Sequence, residues 1–119
     1  MDVRFMTEEK ASLINKMRVS MIHMAWDNYE METFEKLKRI RPLINVDFYH
    51  FRVYVLTNFN TTHVQDLERI YKLREIGCDP YVMVFDKTKA PKRTRWMQRW
   101  CNNKIIFRSC EKFEDYRNE

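Results

Sequence analysis

Two short apolar runs, Val53-Tyr54-Val55-Leu56 and Tyr81 to Phe85, bracket a segment with helical punctuation. Nearly continuous apolar character over four or five residues is the pattern of a parallel strand covered on both faces. Between the runs, Thr62 and Gln65 stand three apart as a capping box, in which side chains satisfy otherwise orphaned backbone donors. Gly77 supplies the left-handed residue that commonly closes a helix. The stretch therefore predicts a strand, a helix and a second strand, the crossover unit of parallel α/β folds. Ligands of such folds sit where strands run out into loops, here Thr57 to Asn60 and Asp86-Lys87.

The rest of the chain repeats this alternation. Val3 to Met6 predicts a short strand, followed by a helix that Thr7 caps and whose positive end Glu8 and Glu9 favour. Ala11, Ile14 and Met17 give that helix its apolar face, and Val19 to Trp26 predicts the next strand, ending at Asp27-Asn28. Met31, Phe34, Leu37 and Ile40 recur at helical spacing until Pro42, whose ring cannot continue the ladder. Asn45 to Phe51 reads as a loop. Pro91 opens a helix to about Asn102, with Trp96, Met97, Trp100 and Cys101 together and Lys92, Arg95 and Arg99 on the other side. Lys104 to Phe107 reads as a short strand, which would be the fifth, or an extended segment, and the tail from Ser109 frays unless Phe113 and Tyr116 anchor it.

With 119 residues and 45% hydrophobic content, the chain suits one domain spanning residues 1–119. No apolar run approaches the roughly 18 residues that span a bilayer, and MDVRFMTEEK lacks the pattern of a signal peptide, so a soluble, cytoplasmic protein is expected. Cys78, Cys101 and Cys110 are odd in number and widely spaced, which argues for reduced thiols rather than a disulfide framework or a metal-ligand pair. A single glycine excludes the glycine-rich phosphate loops of dinucleotide and nucleoside triphosphate sites. His23, His50 and His63 are too far apart for a metal pair on one helix, and no esterase elbow or H-E-x-x-H is present.

The net charge of +5 is unevenly placed, because every charged residue from Lys87 to Arg108 is basic. Such a field attracts anions. Lys92, Arg95, Trp96 and Arg99 could hold nucleic acid, with charge for phosphates and a ring for bases. The competing reading has the tryptophans pinning an amphipathic helix to the core and the charges solvated.

With these segments placed, the chain resembles the radical S-adenosylmethionine superfamily over most of its length. The resemblance rests on DVRFMT, on MIHMAWDN, on YVLTNFNTTHVQDLERIYKLREIGCDPYVMVFDK and on the ending QRWCNNKIIFRSCEKFEDY. The third piece is the most specific, and it is similar to phage- and plasmid-borne radical proteins of gut bacteria. The resemblance implies the last four units of a partial (β/α)6, TIM-like barrel: about half a barrel, with four or five parallel strands alternating with helices. It implies that Asp27 or Asn28 and Asn58 offer polar groups to the ribose and carboxylate of S-adenosylmethionine, and that Val55, Val84 and Phe85 contact its adenine. Asn and Asp at such places also simply cap turns.

The family's C-x-x-x-C-x-x-C, whose thiolates hold three irons of a 4Fe-4S cluster, is absent, as is its Gly-Gly-Glu segment. A cluster needs converging thiolates, so the chain alone is expected to carry no cofactor and show no turnover. It reads as a C-terminal fragment or split subunit. Its expected partner is an N-terminal half on another chain, or a second copy meeting at the exposed edge of the first strand. The alternative is a small basic α/β module that binds nucleic acid through residues 87–108.

Overall fold

The computed structural model describes residues 6–16 and 21–116. Its sheet has three parallel strands, β1 (Ile22–Trp26), β2 (Phe51–Thr57) and β3 (Asp79–Val84), hydrogen-bonded in the order β1-β2-β3. α1 (Glu8–Lys16) precedes β1, α2 (Met31–Ile40) leads to β2, and α3 (His63–Glu75) leads to β3. α4 (Lys92–Asn102), α5 (Lys104–Ser109) and α6 (Phe113–Tyr116) follow.

The central crossover forms as its residues predict. Thr62 Oγ1 accepts from Gln65 N at 3.1 Å and Gln65 Oε1 accepts from Thr62 N at 2.9 Å, so both halves of the capping box are made. Gly77 ends the helical segment at φ 85°, and Arg41 donates its Nε to the Gly77 carbonyl at 2.8 Å. The same guanidinium donates to Ile44 O and Val46 O, which fastens the turn after α2 beneath the end of α3.

The expectation of four or five strands forming half a barrel is not met: the described residues hold three strands and no barrel. Lys104 to Phe107, expected as a strand, is α5. Its apolar run suits a buried strand, but Asn103 Oδ1 accepts from Ile105 N and Ile106 N and so caps a helix there. The predicted strand Val3 to Met6 lies outside the described residues except for Met6, which is buried and not in a strand. Val19 and Ser20 also lie outside them, and β1 begins at Ile22. Within Asn45 to Phe51, read as a loop, Phe48–His50 form a 3-10 turn and Phe51 already belongs to β2. In the tail, Phe113 is buried, its N–H donates to Tyr71 Oη at 2.9 Å, and Trp100 Nε1 donates to Cys110 O at 2.7 Å.

The sheet is packed on one face rather than on both. Residues alternate sides along each strand, and the register aligns Met24 with Val53, and Val55 with Val82. That face carries Ile22, Met24, Trp26, Phe51, Val53 and Val55, packed on Phe34, Leu37 and Ile40 of α2 and Leu73 of α3. A second cluster joins Val82 to Ile70 of α3, Met97, Trp100 and Cys101 of α4, and Phe107 and Phe113. The helices thus pack on one face. Two successive crossovers advancing in the same direction, each right-handed, put both helices on the same side. The opposite face presents His23, Ala25, Tyr54, Leu56, Tyr81 and Met83, none of them fully buried, where coverage on both sides was expected.

The outer edge of β3 is closed by side chains. Asn102 Oδ1 accepts from Val82 N at 2.7 Å and its Nδ2 donates to Val82 O at 3.0 Å, which imitates a neighbouring strand. Lys104 Nζ donates to Pro80 O at 2.6 Å and lies 2.6 Å from Asp79 Oδ1, an ion pair outside hydrogen-bond geometry. Edges satisfied in this way do not recruit another strand.

Candidate functional site

α3 places Asp66 and Arg69 on the same stripe as Ile70 and Leu73, and all four are buried. Arg69, fully buried, donates from Nη1 to Trp26 O at 2.7 Å and from Nη2 to Leu56 O at 2.6 Å and Asp66 Oδ1 at 2.8 Å. One guanidinium therefore ties the end of β1 to the end of β2. Burial pushes the Arg69 pKa down while its hydrogen bond to Asp66 opposes the shift. A guanidinium starts so high that it remains charged at neutral pH. Asp66 also accepts from Thr61 Oγ1 and, at 3.2 Å, from Asn58 N, so α3 holds the loop that follows β2.

The residues leaving β2 and β3 are bent into the left-handed region, Asn58 at φ 61° and Asp86 at φ 47°. Asn and Asp tolerate this conformation better than other residues with a Cβ. Asn58 Nδ2 donates to Phe85 O at 3.4 Å, and Asn60 Nδ2 donates to Asn28 Oδ1 at 3.1 Å. The loops after all three strands are thereby linked in pairs. Beside them, Tyr29 Oη donates to Glu68 Oε2, and that bond raises the Tyr29 pKa. On the solvent side, Phe59 and Phe85 are 55% and 48% exposed, with ring centroids 4.7 Å apart.

The structure brings Asn28, Asn58 and Phe85 to this edge, with the exposed Asp27 at the end of β1. It does not bring Val55, which lies fully buried beneath the helices, or Val84, which packs against the second cluster. On α4, Lys92, Arg93, Arg95 and Arg99 are exposed while Met97, Trp100 and Cys101 are buried. Trp96 is half-buried against the second cluster, and Lys92 Nζ stands 4.8 Å from its ring centroid. The tryptophans pin this helix, and the basic side chains form its outer side.

Cys78 lies in the first cluster and Cys101 in the second, and burial pushes both thiols up to about 12. Cys110 is half-buried. Among the described residues, no group of three or more His, Cys, Asp or Glu is placed to hold a metal, and no helix is long and apolar enough to cross a membrane. His23 is exposed, with Nδ1 2.9 Å from Tyr54 Oη. His50 pairs with Asp47, and His63 stands edge-on to Phe113.

Sequence reasoning missed Arg69, and it included Phe59 and Asn60 only as part of the loop Thr57 to Asn60, with no role for either side chain. A signal for the first existed: Asp66, Arg69, Ile70 and Leu73 fall at helical spacing, which sets an ion pair within the apolar stripe. Phe59 and Asn60 had no comparable signal, because their roles depend on how neighbouring loops meet. Comparison with protein-family models, with curated proteins and with solved structures finds no match to this chain.

Proposed function

We propose that this chain is a C-terminal fragment or split subunit of a radical S-adenosylmethionine protein, without catalytic turnover on its own. The observation that carries this reading is the meeting of Asn28, Asn58 and Asn60 at the carboxyl ends of parallel strands, linked to one another through their loops. Parallel sheets bind ligands at that end. Amide groups held in place there suit a ligand rich in hydroxyl and carboxylate oxygens, such as S-adenosylmethionine. The segments TNFNTTHVQDL and GCDPYVM add their resemblance to the same family.

Two of the expected contacts leave the ligand set. Val55 and Val84 face the helices, so an adenine at this edge would meet Phe85 and backbone instead. The cysteines do not fit a cluster: Cys78 lies in the first core and Cys101 in the second, whereas a cluster needs thiolates that converge on it. Iron–sulfur ligands would come from another polypeptide. The DNA flanking the Met1 codon tests this directly. An in-frame or adjacent C-x-x-x-C-x-x-C is the expected finding, and flanking sequence without that motif on either side contradicts the reading.

A further inference from the structure

Phe59 and Phe85 leave two large rings in solvent at the carboxyl edge, and neither is required by the core. Phe59 follows the left-handed Asn58, while Phe85 lies between β3 and the left-handed Asp86. The two backbone turns place the rings against each other at 4.7 Å with a 59° tilt. Such a pair offers ring surface to a flat partner. Trp96, the ring suggested by the sequence for this purpose, is instead half-buried with an ammonium over it.

The chain next to Phe85 is basic. Lys87 and Lys89 lie in the turn that closes through Lys89 N to Asp86 O and Ala90 N to Asp86 O, and Lys92 and Arg93 open α4. α4 then runs back along β3 until Asn102 bonds to Val82, so its first turn stands at the same end of the sheet as Phe85. All four basic residues are exposed. Asp86 pairs with Lys89 at 3.8 Å, and with four basic residues against this one acid the stretch from Asp86 to Arg93 stays net positive.

From this juxtaposition we infer that the Phe59–Phe85 pair, flanked by Lys87, Lys89, Lys92 and Arg93, binds single-stranded nucleic acid. The rings stack on unpaired bases and the cations follow the phosphates, a combination that selects single strands because duplex bases present no free face. The inference does not depend on the family reading, since it uses exposed side chains whatever the origin of the chain. DNA and RNA share this chemistry.

The test is fluorescence anisotropy of labelled oligo(dT), oligo(rU) and a DNA duplex against the full chain, over a salt series. Binding to one or both single strands, tighter than to duplex and weakening with salt, is expected. Replacing both rings, Phe59→Ala with Phe85→Ala, should weaken single-strand binding by at least about fivefold for each ring that stacks. The triple change Lys87→Ala, Lys89→Ala and Lys92→Ala should reduce the salt slope by about 2, at roughly 0.7 per phosphate contact. These side chains are exposed, and an unchanged thermal melt confirms that each variant is folded. Equal affinity for duplex, no binding at low salt, or affinity insensitive to the Phe changes overturns the proposal. A preference for dT or rU identifies which nucleic acid is held.

Discussion

The two faces of the sheet carry residues from the same strands, yet they are built on different terms. Met24 and Met83 illustrate the contrast: one is 1% exposed beneath the helices, and the other is 47% exposed on the open side. The covered face is aliphatic and closely packed. The open one is a row of rings, His23 stacked on Tyr54 at 5.7 Å and Tyr54 edge-on to Tyr81 at 5.6 Å. Arg52 stands 4.8 Å from the Tyr81 ring centroid and pairs with Asp79. Folding energy is therefore drawn largely from one side. The other keeps amphipathic rings that lie against one another and still meet solvent.

The largest test of this contrast is Arg69→Met. It leaves the Asp66 carboxylate buried without its cation and releases the ends of β1 and β2, so a loss of about 3–5 kcal/mol in urea unfolding is expected. Met24→Ala should cost about 2–5 kcal/mol through the cavity it leaves, whereas Met83→Ala should stay within about 0.5 kcal/mol of the parent. Equal losses at the two methionines would mean that the open face is covered.

The thiols sharpen the same comparison. Cys78 and Cys101, raised to about 12, hold their protons in the folded chain at pH values where the unfolded chain releases them near 9. Their contribution is present below about pH 9 and is lost as pH rises toward 12, by about 1.4 kcal/mol per pH unit for each thiol. Cys78→Ala should flatten that part of the stability curve, and native alkylation should reach the half-buried Cys110 first. The smallest effect is at the exposed cap, where Thr62→Ala removes the bond to Gln65 N and should cost about 1 kcal/mol by thermal melt.

Much of the architecture could be read from the chain because its signals are local. Thr62, Gln65 and Gly77 bound one helix by their own chemistry, and Phe34, Leu37 and Ile40 mark the buried stripe of another. Ile105-Ile106-Phe107 misled because an apolar run does not distinguish strand from helix; the deciding atom was the Asn103 side-chain oxygen preceding it. At the candidate site, Asn28 and Asn58 were legible as polar residues ending apolar strands. Val55 and Val84 were misplaced because a continuous apolar run conceals which alternate residues turn toward the helices. Arg69 shows the opposite difficulty, a charge that reads as surface until the carbonyls of Trp26 and Leu56 are brought to it.

The most direct measurement is anaerobic reconstitution with iron and sulfide, first on this chain alone and then with any product of a neighbouring gene that carries C-x-x-x-C-x-x-C. Far fewer than the ~4 irons of a complete cluster are expected on the chain alone, and a stable cluster only when both polypeptides are present and bound. A stable ~4 irons on this chain by itself, or a partner that takes up its cluster and never associates with this chain, would contradict the split-subunit reading.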